Sequence, residues 1–364
     1  MRTTIALALV LVTFSAAAGE AVRLTPEGAE MRDVRLSPDG RTAVFMLNRS
    51  GKLGGDVAVL DLTTRELTNL TLAAFPDAVY GEAGEHVQFT PDGAAVVFIH
   101  GTEIWRAPLD GGAPTQLTER ENATGLLVVP SLDAVLFSSR RSMSPSDLEG
   151  KAPEGVAGFV ITKLYRLDLK TRKISLFTRD MVADTDDMAL LPDGRIVTIA
   201  AYGDGTGRYS DRAVTILDLK GRRSRVCGPR FEFPPVYVEG GARLVLMDQV
   251  FDEKADAFTY PLTTWNTKTL KGGPNLDLKL PAGDEIGKIW SVPGYRHLVI
   301  SVGTSERGYR LFRWDPSKKA LTPLCSESFG TTGDGVVTPD GARLLFQGGA
   351  RNVSRGPLMS IPLN

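Results

Sequence analysis

Asp33, Asp334 and His86 are two carboxylates and an imidazole, the donor types that a divalent cation takes. Arg35 and Gln88 follow Asp33 and His86 by two residues, and Asp187 and Lys288 belong to the same series. Together they would form a small polar site able to hold a metal ion or a polar ligand. The competing reading is a hydrated passage whose charges compensate one another. These residues lie far apart in the chain, so only the fold could gather them. What relates them is a shared spacing. Asp33, His86, Asp187, Lys288 and Asp334 each stand five residues before a proline, at Pro38, Pro91, Pro192, Pro293 and Pro339.

The prolines belong to a phrase the chain repeats. "RLSPDGRTAVF" (35–45) returns as "QFTPDGAAVVF" (88–98), "LLPDGRIVTI" (190–199) and "VTPDGARLLF" (337–346). Weaker copies surround Pro130, Pro293 and the Glu239-Gly240-Gly241 of "VYVEGGARLVLM" (236–247). In an x-P-D-G-x turn, proline fixes φ, aspartate bonds nearby backbone N–H groups, and glycine accepts positive φ. Asp39, Asp92, Asp193 and Asp340 are therefore read as shape rather than chemistry.

Downstream of each phrase comes a frame of strand, polar turn and strand. Examples are "VAVLDLTTRELTNLT" (57–71), "IWRAPLDGGAPTQLT" (104–118), "LYRLDLKTRKISLFT" (164–178) and "LFRWDPSKKALTPLC" (311–325). Each unit thus holds four strands within about 40 to 60 residues, the signature of a β-propeller blade. The last frame, "LMSIPLN" (358–364), stops halfway, while "AVRLT" (21–25) resembles the end of a frame. The expected fold is all-β: a seven-bladed propeller of four-stranded antiparallel blades, closed by pairing of the N-terminal and C-terminal strands. Six or eight blades are the alternatives. Closure would remove an open strand edge. In this fold the first strand of each blade lines the channel, and the residues five and three before the proline lie at its mouth. Gly125 and Pro234 complete the outer series; Leu127, Ala189, Val236, Trp290 and Val336 complete the inner one.

"LSPDGRTAVF" followed by "LDLTTRELTNLT" resembles the WD40-like PD40 repeat of the TolB-like propellers. The resemblance covers roughly 21–364. It implies the propeller fold and a place in the cell envelope. TolB itself carries an α/β domain ahead of six blades, whereas this sequence shows seven units and no such domain.

The N-terminus reads as an export signal. Arg2 precedes the apolar "TTIALALVLVTF" (3–14) and the small residues of "SAAAGEA" (15–21), giving a leader of 1–18 and a single propeller domain of 19–364. The run is shorter than the ~20 residues that span a bilayer. A periplasmic or secreted location follows, with no membrane span. Cys227 and Cys325 fall on the outer strands of alternate blades, too far apart for a bridge, so two free thiols are expected. The formal net charge of -1 gives no support to a nucleic-acid partner.

Nucleophile-elbow, H-E-x-x-H and C-x-x-C signatures are missing, and "GDGTG" (203–207) opens no helix that would bind phosphate. Trp105, Trp265 and Trp314 are assigned to packing between blades. A second candidate surface is the loop face, where Arg141, Arg208 and Arg212 recur with Arg49, Arg140, Arg307, Arg351 and Arg355. Guanidinium forks suit carboxylates and phosphates, although a solvated face explains them equally. An acidic loop with Asp184, Asp186 and Asp187 could hold calcium.

The reading is a non-catalytic, monomeric scaffold that binds a protein or glycan partner in the cell envelope. No cofactor is expected, a divalent cation being the one candidate. The alternative is a carbohydrate-active enzyme, lyase or hydrolase, with its site at the channel mouth. Oligogalacturonate lyases resemble TolB propellers in this way, but their histidine-rich metal site is poorly matched by His86, His100 and His297.

Overall fold

A computed structural model describes residues 19–26, 29–48, 55–75, 86–143, 159–178, 188–191, 193–203, 209–226, 236–238, 242–247, 250–252, 257–259, 261–269, 271–273, 276, 278, 280, 283–294, 297–304, 306–315, 317–318, 320–349 and 356–363. The proposed leader and Cys227 lie outside the described residues.

The turns form as their residue types dictate, with one addition. The Ser37 hydroxyl donates to Asp39 Oδ1 at 2.6 Å, the Arg41 N–H donates to the same oxygen at 3.1 Å, and the Thr42 N–H donates back to Ser37 Oγ at 3.0 Å. Thr90 with Asp92 and Thr338 with Asp340 repeat the arrangement. The hydroxyl bond, then the amide bond, holds each of these carboxyls below the usual carboxylate range. Gly40 at φ 71° and Gly93 at φ 68° supply the left-handed position that a side chain would resist. The Asp of the phrase is thus structural, and the Ser or Thr before the proline is its partner.

The frames end on a buried threonine for a related reason. Thr71 Oγ1 accepts the Val57 N–H at 2.9 Å and Thr118 Oγ1 accepts the Ile104 N–H at 2.9 Å. Thr25 Oγ1 accepts the Leu358 N–H at 3.0 Å. Each clasps the start of the third strand with the end of the fourth.

Among the described residues the strands form eight antiparallel sheets, seven in line with the repeats and one small ribbon. Sheet one is Glu30–Leu36, Thr42–Asn48, Gly55–Asp61 and Leu67–Asn69, side by side in chain order. Sheet two is Val87–Phe89, Ala95–His100, Glu103–Pro108 and Thr115–Gln116. Sheet three is Ala123–Val129, Ala134–Met143, Phe159–Asp168 and Ile174–Leu176; sheet four is Met188–Leu190, Ile196–Gly203, Tyr209–Leu217 and Arg223–Val226. Sheet five holds Val236–Val238, Arg243–Met247 and Leu262–Asn266, with a separate two-stranded ribbon of Val250–Asp252 and Ala257–Thr259. Sheet six is Glu285–Ser291, Leu298–Thr304, Gly308–Asp315 and Ala320–Pro323. Sheet seven is Thr331–Val337, Arg343–Gly349 and Leu358–Pro362, with Val22–Arg23 alongside, Val22 opposite Ser360 and Arg23 opposite Met359.

The uniform ring of seven four-stranded blades is therefore corrected. Among the described residues six blades are four-stranded and the fifth unit is a three-stranded sheet. Its frame, "LTTWNTKTLKGGPNL", places Gly272, Gly273 and Pro274 where the others place strand-forming residues. Glycine weakens a strand and proline has no N–H to give the ladder. Among the described residues the pairing there is two isolated bridges, Trp265 with Gly272 and Leu262 with Leu276.

Apolar clusters fill the seams between consecutive sheets. Val44 and Val57 of sheet one pack with Phe89 and Phe98 of sheet two, and Val245 and Leu262 of sheet five pack with Leu298 and Trp314 of sheet six. Leu345 and Leu358 of sheet seven share a cluster with Met31 and Phe45 of sheet one. Trp314 is buried; Trp105 and Trp265 pack partly buried against their clusters. Cys325 is a buried free thiol, its titration pushed up by burial. Among the described residues no helix is long and apolar enough to cross a membrane.

Candidate functional site

The channel-mouth residues are placed by a defect repeated in the inner strands. Register shifts interrupt the pairing between Arg32 and Arg35, Ala123 and Gly125, Ile286 and Lys288, and Thr332 and Gly335. A bulge adds a residue, bends the strand and re-aims a side chain. In sheet one the displaced residue is Asp33, at φ 51°, a left-handed conformation that Asp tolerates better than most.

From there Asp33 bonds sideways. Its Oδ2 accepts the Val87 N–H of sheet two at 2.7 Å, and its Oδ1 pairs with Arg35 Nη2 at 2.6 Å. Its own N–H donates to Asp334 Oδ2 of sheet seven at 3.0 Å. Asp334 Oδ1 lies 3.8 Å from Lys288 Nζ of sheet six. Gln88 continues the series into sheet three: its Nε2 donates to Leu126 O at 3.0 Å and its Oε1 accepts the Val128 N–H at 2.8 Å. Polar side chains thus link sheets six, seven, one, two and three around the channel.

The structure brings together Asp33, Arg35, Asp334 and Lys288, and sets Gln88 beside them. Their main partners are each other and the backbone of the wall. Arg35 also donates through Nη1 to Val34 O at 3.0 Å, and keeps its side chain 39% exposed. Asp334 is 44% exposed and Lys288 31%. His86 is half-buried; among the described residues its ring joins none of the bonds above. Asp187 and Arg208 lie outside the described residues. Arg141 sits opposite Ile161 in sheet three, and Arg212 opposite Ala201 in sheet four.

Two features escaped the spacing rule. Ser301 Oγ accepts both the Lys288 N–H and the Thr332 hydroxyl, each at 2.7 Å, so it ties sheet six to sheet seven beneath the Lys288–Asp334 pair. It stands on a second strand, where the count from the proline does not reach. Asp284, 5% exposed, pairs with Arg307 at 2.6 Å, and Tyr309 OH donates to Glu285 Oε1 at 2.7 Å. This cluster gathers at the start of the inner strand and of the third strand of sheet six, six or more residues from Pro293 or on another strand, so the count from the proline does not reach it.

No family model matches the chain. No curated protein matches it either. Solved structures do. An oligogalacturonate lyase in complex with manganese is similar at 15% identity over 96% of this chain and 94% of its own, with a TM-score of 0.63. An oligogalacturonate lyase from Vibrio parahaemolyticus is similar at 13% identity over 95% of this chain and 94% of its own, with a TM-score of 0.66. The fold is a β-propeller. The propeller domain of the Trilobed protease from Pyrococcus furiosus, described as having an open velcro topology, is similar at 14% identity over 92% and 98% of the two chains, with a TM-score of 0.59. Identities this low carry the architecture alone.

One of these neighbours is in complex with manganese, and the donors present in this chain decide whether such an ion fits it. Among the described residues no three of His, Cys, Asp and Glu gather as a metal would require. Asp33 has both oxygens occupied, one of them by a backbone amide that would otherwise be buried without a partner. Among the described residues the donor set around Asp33 does not fit a cation.

Proposed function

We propose that this chain is an exported, TolB-like propeller that acts as a monomeric, non-catalytic scaffold, binding a partner on the face around the channel mouth. The observation that carries this reading is the engagement of Asp33. A general base or metal ligand presents a lone pair to substrate or ion, and a buried carboxylate held on both oxygens by the wall is poorly placed to do so. Asp33 directs one oxygen at the Val87 N–H and the other at Arg35. Using it for chemistry would open the wall between two sheets.

The second reading is a carbohydrate-active enzyme, favoured by the likeness to oligogalacturonate lyases over 95–96% of the chain. One experiment weighs the two. The purified chain is cross-linked in a cell-envelope extract, and in parallel incubated with oligogalacturonate with and without manganese while unsaturated product is followed by absorbance. A discrete cross-linked partner and no product is the expected result. Product that disappears in His86→Ala would replace the scaffold with the enzyme.

A further inference from the structure

Among the described residues, sheets three and four carry the longest pairings of second with third strand. Ala134–Met143 and Phe159–Asp168 pair over ten residues, while the corresponding strands of sheets one, two and six pair over seven, six and seven. The inner strand of sheet three pairs no further than Ser139, and its outer strand pairs only residues 165–167. In sheet four the inner strand covers 196–198 and the outer strand 214–217. Residues 140–143 with 159–162, and 200–203 with 209–213, are therefore two-stranded ribbons whose outer edges have no strand partner among the described residues. Such edges are templates for another strand. The ribbons also concentrate one charge. They carry Arg140, Arg141 and Arg212 against a single carboxylate, Asp211, in a chain whose net charge is -1.

We infer that this pair of ribbons is a docking ridge for an extended, acidic segment of a partner protein, added as a strand to a ribbon edge. Unpaired backbone edges favour a peptide over a glycan, because only a peptide returns N–H and C=O groups at strand spacing. Three arginines against one aspartate favour an acidic segment over a neutral one. The inference rests on the scaffold reading and names the kind of partner it binds.

The test uses a fluorescent decapeptide of alternating Glu and Thr, its Gln-Thr counterpart, and a Glu-Thr peptide N-methylated at alternate residues. Anisotropy gives the affinities at low salt. The Glu-Thr peptide should bind, with the Gln-Thr peptide and the Arg140→Glu/Arg141→Glu protein each weaker by about tenfold. N-methylation should also weaken binding, and bound peptide should slow amide exchange at 140–143 or 209–213. An unchanged melting temperature shows that the variant folds. Binding indifferent to charge reversal and N-methylation, or a heparin oligosaccharide protecting the ribbons when the peptide does not, overturns the inference. If no peptide binds while an envelope partner still cross-links to another face, the ridge is wrong and the scaffold stands. If nothing cross-links and oligogalacturonate is cleaved, the scaffold itself is wrong.

Discussion

Replacing Asp33 separates a wall residue from a ligand-binding residue. In Asp33→Ala the Val87 N–H loses its acceptor in a buried setting, and Arg35 loses its ion-pair partner. An orphaned buried donor costs about 1–3 kcal/mol. The Arg35 pair is part-exposed and adds about 0–1 kcal/mol. Alanine is also less at ease than aspartate at φ 51°, for about 1 kcal/mol more. The total is about 2–5 kcal/mol. With an unfolding entropy of about 2.1 cal/mol/K per residue over some 350 residues, this is a fall of roughly 3–7 °C in melting temperature. Asp33→Asn keeps an acceptor for Val87 and tolerates the same backbone, so it should lose less than half as much. Calorimetry on the three proteins, with urea midpoints as a check, measures this. A fall below 1 °C for Asp33→Ala, or equal losses for Ala and Asn, would refute the assignment of Asp33 to the wall.

Other expectations follow from neighbouring contacts. Gln88→Ala leaves Leu126 O and Val128 N–H without their side-chain partner and should destabilise by about 1–3 kcal/mol, with faster amide exchange at Val128. Thr25→Val removes the acceptor of the Leu358 N–H and should speed proteolysis at the N-terminus, whereas Thr25→Ser should behave as wild type. Burial holds His100 and His297 below the ordinary histidine range, with Arg313 adding to the effect at His297. Below about pH 6.5 the unfolded chain then binds more protons than the folded one. Their contribution is complete above that pH and declines as pH falls towards the lowered folded values. Melting temperatures between pH 5 and 8 should show this slope, and His100→Phe with His297→Phe should flatten it. Cys325, buried with a raised titration, should react with a thiol reagent only as the protein unfolds.

Much of the architecture can be read from turn chemistry, because Pro-Asp-Gly turns and terminal threonines act locally. Asp39 bonds within four residues, and Thr71 reaches back across one hairpin. The shortened fifth unit is also legible in Gly272-Gly273-Pro274, although its frame has the same length as the rest. The channel mouth was legible only as a set of positions. The count from the proline located Asp33, Arg35, Asp334 and Lys288, which do meet, but it could not say what they bond. That was decided by the bulges, which turn Asp33 and Asp334 towards amides of the next sheet, and by Ser301, which comes from a different strand. Where the Pro-Asp-Gly strands turn follows from the residues alone, since those bonds join groups close in the chain. Only the tertiary structure decided that two carboxylates suited to a cation instead hold the ring together, because their partners are backbone groups 54 and 301 residues away.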